Sequence, residues 1–345
     1  MSLRIYVPKD SAALAVGADD VAAALVVAAK RRNIPLDLVR TGSRGLYWLE
    51  PMIEFDTAHG RIAYGPMTKG DADTLLDAMS GNGAHPKRLG RPEEIPFLKR
   101  QTRLTFARCG IVDPASVADY KAHGGYQGLA KALSLTSEQI VEEVVQSGLR
   151  GRGGAGFPTG IKWRTVQQAG GDRKYIVCNA DEGDSGTYAD RMIMEGDPFL
   201  LIEGMAIAGF AVGASKGFVY IRSEYPDAVR TMERAVAIAE REGLLGQKAQ
   251  FEIEVRVGAG AYVCGEETSL LESLEGKRGQ VRAKPPLPAH KGLFGKPTVI
   301  NNLISLATVP AILAEGARHY ADLGMGRSRG TMPIQRSEEH TSELQ

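Results

Sequence analysis

The sequence predicts an α/β protein with two domains, a small one at the N-terminus and a larger one after it. Apolar runs typical of buried strands alternate with amphipathic stretches of helical period along the 345 residues. A chain of this length has room for two domains and a large buried core. A stretch rich in glycine, proline and basic residues, 81–109, separates the two patterned segments and is predicted to be a linker.

The first segment, residues 1–80, has the pattern of a small mixed sheet with helices. Its predicted elements, in order, are a strand at 4–8, a helix at 20–32, a strand at 34–40, a hairpin of strands at 52–57 and 61–65, and a helix at 69–79. This order is typical of a thioredoxin-like domain.

The second segment, residues 110–335, is predicted to be a sheet whose strands are connected by helices. Thr136 and Gln139 stand at capping-box spacing and start a helix that Gly148 ends. Polar residues that follow the strands are the default ligand site of such a sheet. The predicted strands lie at 174–180, 217–222 and 251–260, and the predicted helices lie at 113–120, 135–148, 200–214 and 226–242, with another that starts within 261–276.

The composition excludes several classes of function. The net charge of +1 argues against a protein dedicated to nucleic acid or to membrane surfaces. No apolar run approaches the roughly 20 residues of a membrane span, and the N-terminus lacks the features of a signal peptide. Cys109, Cys178 and Cys264 are too scattered for a disulfide framework or a four-thiolate metal site. We therefore expect a cytoplasmic protein without a nucleic-acid partner and without direct membrane insertion.

The final segment, 336–345, is polar and unrelated in composition to the sequence before it. It is similar to the in-frame translation of a sequencing adapter. We expect it to be an artefactual tail on a chain that is truncated near Gln335.

The loop at 149–162 combines five glycines with Arg150, Arg152 and Lys162. Bare backbone lets N–H groups approach a ligand closely, and successive N–H groups form an anion-binding nest. A P-loop is excluded because Trp163 stands where the magnesium-binding hydroxyl belongs. The glycine spacing of a dinucleotide fingerprint is present, but it follows a helix and not a strand. The sequence leaves open a solvent-exposed turn as the alternative to a ligand loop.

The loop at 178–191 places polar side chains at the end of a predicted strand. Asn179, Asp181, Glu182 and Asp184 can accept hydrogen bonds from a ring N–H or from sugar hydroxyls. A capping turn before a helix is the alternative. Calcium ligation is disfavoured because the spacing does not match an EF-hand loop.

Two further loops carry charge, at 258–276 and at 282–303. Glu266 and Glu267 stand at a helix N-terminus, where capping is the alternative to ligand binding. Cys264 is interpreted as a buried small residue. The second of these loops has a Pro-rich turn, three lysines and the amide pair Asn301–Asn302. Four such loops on one α/β domain predict a phosphate-bearing aromatic ligand.

Two motifs, Gly-Arg-Gly-Gly-Ala-Gly-Phe-Pro-Thr-Gly-Ile-Lys-Trp at 151–163 and the run at 258–273, resemble the FMN- and NADH-binding subunits of respiratory complex I, the 51 kDa-type or F-type family. The resemblance covers about residues 110–334. The first domain is similar to the thioredoxin-like module of soluble NAD-linked formate dehydrogenases and hydrogenases. Ser43 and Tyr47 stand where cluster-binding versions carry cysteines. This departure is most similar to the beta subunits of cytosolic NAD-dependent formate dehydrogenases, and it predicts a docking scaffold.

The resemblance implies a complex I 51 kDa-type FMN-binding α/β domain that exchanges hydride between NAD(H) and FMN, a diaphorase activity. It implies electron transfer to or from iron–sulfur clusters of a soluble formate dehydrogenase, with its [2Fe–2S] gamma subunit and its alpha subunit as partners. Alternatives are the same module in complex I or in an NAD-reducing hydrogenase, and a non-catalytic flavin-binding assembly subunit. The ligands of the family's [4Fe–4S] cluster are absent from this chain, so no metal-ligating residue is predicted.

The resemblance also implies roles for particular residues. Glu266, Glu267 and Lys284 are the candidate catalytic residues, and Glu267 and Lys284 are expected to contact the dinucleotide. Phe157 is expected to stack on adenine, and Asp184 to disfavour the extra phosphate of NADP. The residues implied to bind FMN or NAD(H) are Gly151, Arg152, Gly153, Gly154, Gly156, Phe157, Lys162, Asn179, Asp181, Glu182, Asp184, Tyr262, Gly265, Glu266, Glu267, Asn301 and Asn302.

Overall fold

A computed structural model describes residues 2–81, 84–247 and 249–335, and the chain divides into two compact units. Unit 1 comprises the residues up to His123 together with Glu195–Asp197, and unit 2 comprises Gly124–Met194 and the residues from Pro198 on. The segment 336–345, which we expect to be an artefactual tail, lies outside the described residues.

Unit 1 is built on a five-stranded mixed sheet in the order β2-β1-β3-β4-β5. β1 and β2 are parallel, and the other neighbouring pairs are antiparallel. This order confirms the thioredoxin-like prediction, because the β1–α–β2 crossover is followed by an antiparallel hairpin and a closing helix. The elements are β1 (Leu3–Pro8), α1 (Ser11–Ala15), α2 (Ala18–Arg31), β2 (Leu36–Thr41), β3 (Ile53–Thr57), β4 (Gly60–Tyr64), α3 (Ala72–Met79), β5 (Arg88–Gly90), α4 (Pro96–Lys99) and α5 (Val117–Ala122).

The prediction that 81–109 is a linker is wrong. β5 lies within this segment and pairs with β4 at the sheet edge, with Ala63 opposite Gly90. α4 follows and buries Leu98 in a small cluster with Leu46 and Met52. A three-residue strand leaves no periodic pattern, and the surrounding glycine, proline and basic residues are typical of loops. The segment is therefore part of the first unit.

The loop between β2 and β3 is closed by hydrogen bonds of its own side chains. The Ser43 hydroxyl donates to Glu50 at 2.5 Å and accepts the N–H of Gly45 at 2.9 Å. The second Glu50 oxygen accepts the N–H of Met52 at 2.8 Å. Burial, and then the charge of Asp10, raise the pKa of Glu50 to about 8. The buried Glu50 carboxyl and the Ser43 hydroxyl thus close the loop at the place where the resemblance puts a cysteine in cluster-binding relatives.

Unit 2 contains a four-stranded parallel sheet in the order β8-β7-β6-β9. The α/β prediction is confirmed, as is the capping box of Thr136 and Gln139 at the start of α7. The remaining helices and strands are α6 (Gln127–Ala132), α7 (Ser137–Gln146), α8 (Thr159–Gln168), β6 (Tyr175–Ala180), α9 (Asp190–Gly196), α10 (Pro198–Val212), β7 (Lys216–Arg222), α11 (Pro226–Arg241), β8 (Glu252–Gly258), α12 (Glu267–Leu274), α13 (Pro288–Lys291), β9 (Thr298–Asn302), α14 (Leu303–Glu315) and α15 (Ala317–Asp322).

The core of unit 2 forms where α10 packs against α14, the helix that directly follows β9. α10 is buried along almost its whole length, including the carboxylate of Glu203. That carboxylate accepts the N–H groups of Tyr126 and Leu129 at 2.8 Å each, which satisfies the exposed donors at the start of α6. At Gly204 the helices approach so closely that a Cβ would stand 2.1 Å from the carbonyl oxygen of Leu306.

The substitution Gly204→Ala should therefore destabilise unit 2 by about 3 kcal/mol, because α10 and α14 must separate to admit the methyl group. Chemical denaturation followed by far-UV circular dichroism measures the effect. The matched control is Gly170→Ala, since a Cβ at Gly170 meets no atom within 4 Å. Equal stability of the two variants would contradict the close approach of the helices.

Candidate functional site

The predicted ligand loops meet at the carboxyl edge of the parallel sheet, beside the neighbouring strands β6 and β9. The chain passes from β6 to β7 and β8 on one side, and β9 pairs on the other side of β6. The strand order therefore reverses between β6 and β9, and the strand ends at such a reversal are the usual ligand site of α/β sheets. Asn179 lies opposite Asn302 in the pairing register at the end of both strands.

A cavity of about 710 Å³ lies at this edge, within the range of small-molecule sites. Its walls come from all four predicted ligand loops, the start of α14 and the segment that contains Met332 and Gln335. The predicted residues that line it are Arg152, Gly153, Asn179, Asp181, Glu182, Asp184, Tyr262, Gly265, Glu266 and Asn302. The predicted residues outside the lining are Gly151, Gly154, Gly156, Phe157, Lys162, Glu267, Lys284 and Asn301.

The loop at 149–162, called the Gly-rich loop from here on, makes a tight turn between α7 and α8. Its two arms form an antiparallel bridge between Arg150 and Pro158, and the N–H of Gly151 donates to Phe157 at 2.9 Å. Gly154 at the tip has a φ of +102°, a conformation that glycine adopts without strain. The loop is anchored on α14, because the N–H of Arg152 donates to the Ser305 hydroxyl at 2.9 Å. The turn thus places Arg152 and Gly153 against the cavity.

At three places the cavity wall consists of glycine backbone without a side chain. A Cβ at Gly153 would stand 3.1 Å from the Cβ of Asn302, and one at Gly183 would stand 2.9 Å from the Tyr262 ring. A Cβ at Gly265 would stand 3.1 Å from the carboxylate of Asp181. Each of these glycines lets a neighbouring residue pack directly against its backbone, so the cavity wall there carries no side chain.

Asp181 is the buried carboxyl of the cavity. Its Oδ2 atom has no hydrogen-bond partner among the described residues. Burial raises the pKa of Asp181 to about 6, although Arg222 acts in the opposite direction. The neighbouring Asn179 amide donates to the Gly265 carbonyl at 2.8 Å, so it joins two of the loops. Asp181 therefore offers the cavity an acceptor that a ligand hydroxyl or N–H can satisfy.

Glu182 and Asp190 form a second acidic group in the wall. The Glu182 carboxylate accepts the N–H of Asp190 at 2.8 Å and pairs with the Arg191 side chain at 3.1 Å, so it caps the start of α9. Asn302 donates to Asp190 at 3.0 Å. Burial and the charge of Glu182 raise the pKa of Asp190 well above its usual range. Glu182 thus serves the capping turn that the sequence left open, and its predicted ligand role stays a prediction.

Glu266 caps α12 and belongs to a chain of ion pairs beside the cavity. Its carboxylate accepts the N–H of Thr268 at 2.7 Å. Lys284 lies 2.9 Å from Glu266 and 2.9 Å from Glu267, and Lys162 lies 3.5 Å from Glu267. Burial would raise the pKa of Glu266, but the hydrogen bonds from Thr268 and Lys284 outweigh it and lower the pKa to about 2. Glu266 is therefore an anion at every physiological pH.

Asn301 and Phe157, which were predicted to bind the ligand, lie outside the cavity lining. The Asn301 amide oxygen accepts the indole N–H of Trp163 at 2.9 Å, which fixes β9 to α8. The Phe157 side chain is half exposed beside the Gly-rich turn. Neither residue lines the cavity, so their predicted roles toward FMN and adenine stay predictions.

Some functional residues of the site were missed by the sequence analysis. Asp190 lines the cavity, and its only signal was its place at the start of a helix. Arg222 donates to the carbonyl oxygen of Gly183, and Tyr225 donates to that of Glu182. Both bonds hold the loop at 178–191, the acidic loop, in place. These two residues follow β7, but nothing in their local pattern distinguishes them from other surface polar residues.

The described residues carry no group of three or more His, Cys, Asp or Glu side chains placed to hold a metal ion. Cys109, Cys178 and Cys264 are buried thiols. In the part of the chain that the structure describes, no helix has the length and hydrophobicity to cross a membrane.

Comparison with known proteins identifies similar chains. Residues 144–311 match the family described as the Nuo51 FMN-binding domain. The chain is 50% identical to the HndC component of the NADP-reducing hydrogenase of Solidesulfovibrio fructosivorans, over 68% of this chain and 48% of that protein. It is 52% identical to the F 2 component of the NADH-quinone oxidoreductase of Rhizobium meliloti (strain 1021), over 64% of this chain and 54% of that protein.

A solved structure extends the similarity to almost the whole chain. A chain of the NAD⁺-reducing [NiFe]-hydrogenase in the air-oxidized state matches 95% of this chain with a TM-score of 0.56 and 29% identity. The match covers 55% of that chain. This chain thus spans about half the length of the curated relatives it matches.

The raised pKa of Asp181 predicts a pH-dependent effect of Asp181→Asn on the ligand-free chain. Below about pH 3 the carboxyl is protonated in both the folded and the unfolded chain, so the variant should unfold like the wild type. As the pH rises toward 6 the unfolded chain ionises first, and the wild type loses stability. At about pH 8 the variant should therefore have the higher melting temperature.

Calorimetry at the two pH values measures this difference, with the exposed Asp322→Asn as the control. A melting-temperature difference that is the same at both pH values would contradict the burial of an ionisable Asp181.

Proposed function

The chain belongs to the Nuo51 FMN-binding family of complex I 51 kDa-type subunits, and from this membership we propose that it exchanges hydride between NAD(H) and FMN bound in the 710 Å³ cavity. The observation that supports this most directly is the placement of the family's loops around the crevice between β6 and β9. FMN, when bound, accepts hydride and releases its electrons singly.

The residues that line the cavity fit FMN. The cavity has bare backbone at Gly153, Gly183 and Gly265, where a Cβ would meet its neighbours at 2.9 to 3.1 Å. A planar isoalloxazine can lie against backbone that carries no side chain. The unpartnered carboxylate oxygen of Asp181 is suited to a ribityl hydroxyl or a ring N–H. Gly153, Asn179, Asp181 and Gly265 would hold the group.

The charged residues beside the cavity are suited to the dinucleotide. Lys162 donates to the Ile300 carbonyl at 2.8 Å, so its ammonium group has a fixed place beside β9. Lys284 is held between Glu266 and Glu267. Both lysines can attract phosphate, and their glutamate partners limit the net charge. The exposed ring of Tyr262 offers a flat face at the mouth.

Asp184 is proposed to set the preference between the two nicotinamide dinucleotides. It is exposed at the cavity wall, where its charge would repel the additional phosphate of NADPH. One matched relative is named as part of an NADP-reducing hydrogenase and another as part of an NADH-quinone oxidoreductase. The preference of this chain therefore needs its own measurement.

An anaerobic visible spectrum of the chain reconstituted with FMN tests both proposals. NADH should bleach the flavin band, and NADPH should bleach it much more slowly. The substitution Asp184→Asn should raise the ratio of the NADPH rate to the NADH rate about fivefold, because one exposed like charge is removed. Asp322→Asn is the matched control.

Three results would count against these proposals. A chain without bound flavin would overturn the assignment of the cavity. A bound flavin that NADH does not reduce would favour the non-catalytic flavin-binding assembly subunit. An unchanged ratio in Asp184→Asn would remove Asp184 from dinucleotide discrimination.

We propose that the complex served by this chain is a soluble NAD-dependent formate dehydrogenase, with iron–sulfur subunits as its partners. The supporting observation is the thioredoxin-like unit in which the Ser43 hydroxyl bonds to Glu50. Such a loop offers no thiolate at Ser43 or Tyr47, so unit 1 would act as a docking scaffold. An NAD-reducing hydrogenase is the second candidate, because the matched hydrogenase chain covers 95% of this one.

Purification of the native complex through a tag on this chain distinguishes the two candidates. Molybdenum or tungsten in the complex, together with formate-dependent NAD⁺ reduction, is the expected result. Nickel together with hydrogen-dependent reduction would assign the chain to a hydrogenase. A membrane complex that reduces quinone with NADH would assign it to complex I.

A further inference from the structure

The side chain of Arg152 connects the Gly-rich loop to a segment far along the chain. Its Nη2 atom donates to the Tyr320 hydroxyl at 2.9 Å and to the carbonyl oxygen of Arg329 at 2.7 Å. Its backbone N–H is bound to Ser305. The Nη2 group of Arg152 is thus already engaged, and its Nε atom is buried without a hydrogen-bond partner among the described residues, although the residue lines the cavity.

Arg152 contacts the segment 324–335, which contains a turn and which we call the strap. Its turn is closed by two hydrogen bonds between Met325 and Ser328, at 2.8 and 2.9 Å. Gly330 has a φ of +70° and lies so close to Tyr320 that a Cβ would stand 1.9 Å from the ring. After this contact the strap reaches the cavity, where Met332 and Gln335 are part of the lining.

Tyr320 anchors both Arg152 and the strap, because it is buried. It lies on α15 and its side chain is 1% exposed. Burial raises its pKa, and the nearby Arg152 only partly opposes this, so the phenol is neutral at neutral pH and its oxygen accepts from Arg152. The Arg329 side chain adds a second attachment, because it donates to the Ala321 carbonyl at 3.2 Å.

We propose that Arg152 is a positioning residue that latches the strap to the Gly-rich loop and so holds two walls of the cavity at a fixed separation. This proposal rests on the proposed function in one respect, that the ligand between the two walls is FMN. Both bonds come from one nitrogen, Nη2, whose N–H groups have fixed directions in the rigid guanidinium plane, whereas those of an ammonium group rotate on a flexible stem. Arg152 would therefore control how firmly FMN is retained.

The test compares Tyr320→Phe and Arg152→Lys with the wild-type chain in three measurements. These are the Kd for FMN from flavin fluorescence quenching, the midpoint potential of the bound flavin, and hydrogen exchange of residues 324–335 without flavin. Each variant should bind FMN about tenfold more weakly, as expected for the loss of one hydrogen bond to a charged group. The strap should exchange about tenfold faster, and the midpoint potential should stay unchanged.

Tyr220→Phe is the matched control, because it also removes one hydroxyl from a buried tyrosine of unit 2. The Tyr220 hydroxyl contacts the Ser273 hydroxyl at 2.9 Å, and Tyr220 is not among the residues that line the cavity. It should leave both the Kd for FMN and the exchange of the strap unchanged.

Other results would overturn the latch. If Arg152 acts through its charge, Arg152→Lys retains FMN and Tyr320→Phe changes neither affinity nor exchange. A shift of the midpoint potential at unchanged affinity would also assign Arg152 an electrostatic role. If Tyr320→Phe does not fold, Arg152→Lys decides alone. If the wild type binds no FMN, the proposed function fails, and the latch is then judged by strap exchange in the flavin-free chain.

Discussion

The structure of the site depends on the parallel pairing of β6 with β9. This pairing places the ends of two strands that are far apart in sequence side by side, with Asn179 opposite Asn302. The acidic loop continues from β6, while the helix that anchors the Gly-rich loop starts directly after β9. A shift in register by one residue would turn Asn302 away from Asp190 and would bury it among apolar neighbours. The depth of the crevice and the position of both loops therefore follow from one strand pairing.

The sequence alone predicted the α/β class and the loops of the site, because both depend on short-range patterns. Buried strands end abruptly in polar residues, and glycines cluster where backbone must approach a ligand, as in the Gly-rich loop. The three-residue β5 was missed because pairing with β4 defines it, and its own residues are mostly half exposed. The role of Asp190 was also missed, since it depends on Asn302, more than a hundred residues away. Local patterns do not encode such partners.

The acidic residues of the site differ in how their charge is balanced, and this decides what each can do. Glu182 is paired with Arg191 and with backbone N–H groups, and Glu266 is paired with Lys284 and Thr268. Asp190 is buried and bonded to an amide, and Asp181 is buried with one oxygen unpartnered among the described residues. The paired carboxylates support the walls. Asp181 remains as the acceptor that a ligand can satisfy, because a buried polar atom without a partner is costly.

The state of Glu266 bears on how the proposed chemistry can proceed. With a pKa of about 2 and a capping role on α12, Glu266 is a poor general base and is already committed to backbone N–H groups. Hydride transfer does not need such a base, since the hydrogen leaves the nicotinamide together with its electron pair. The residues around the cavity would contribute orientation, because bare backbone and opposed walls would hold the nicotinamide close to FMN. The glutamates beside the cavity hold Lys284 in place, and the catalytic role of Glu266 stays a prediction.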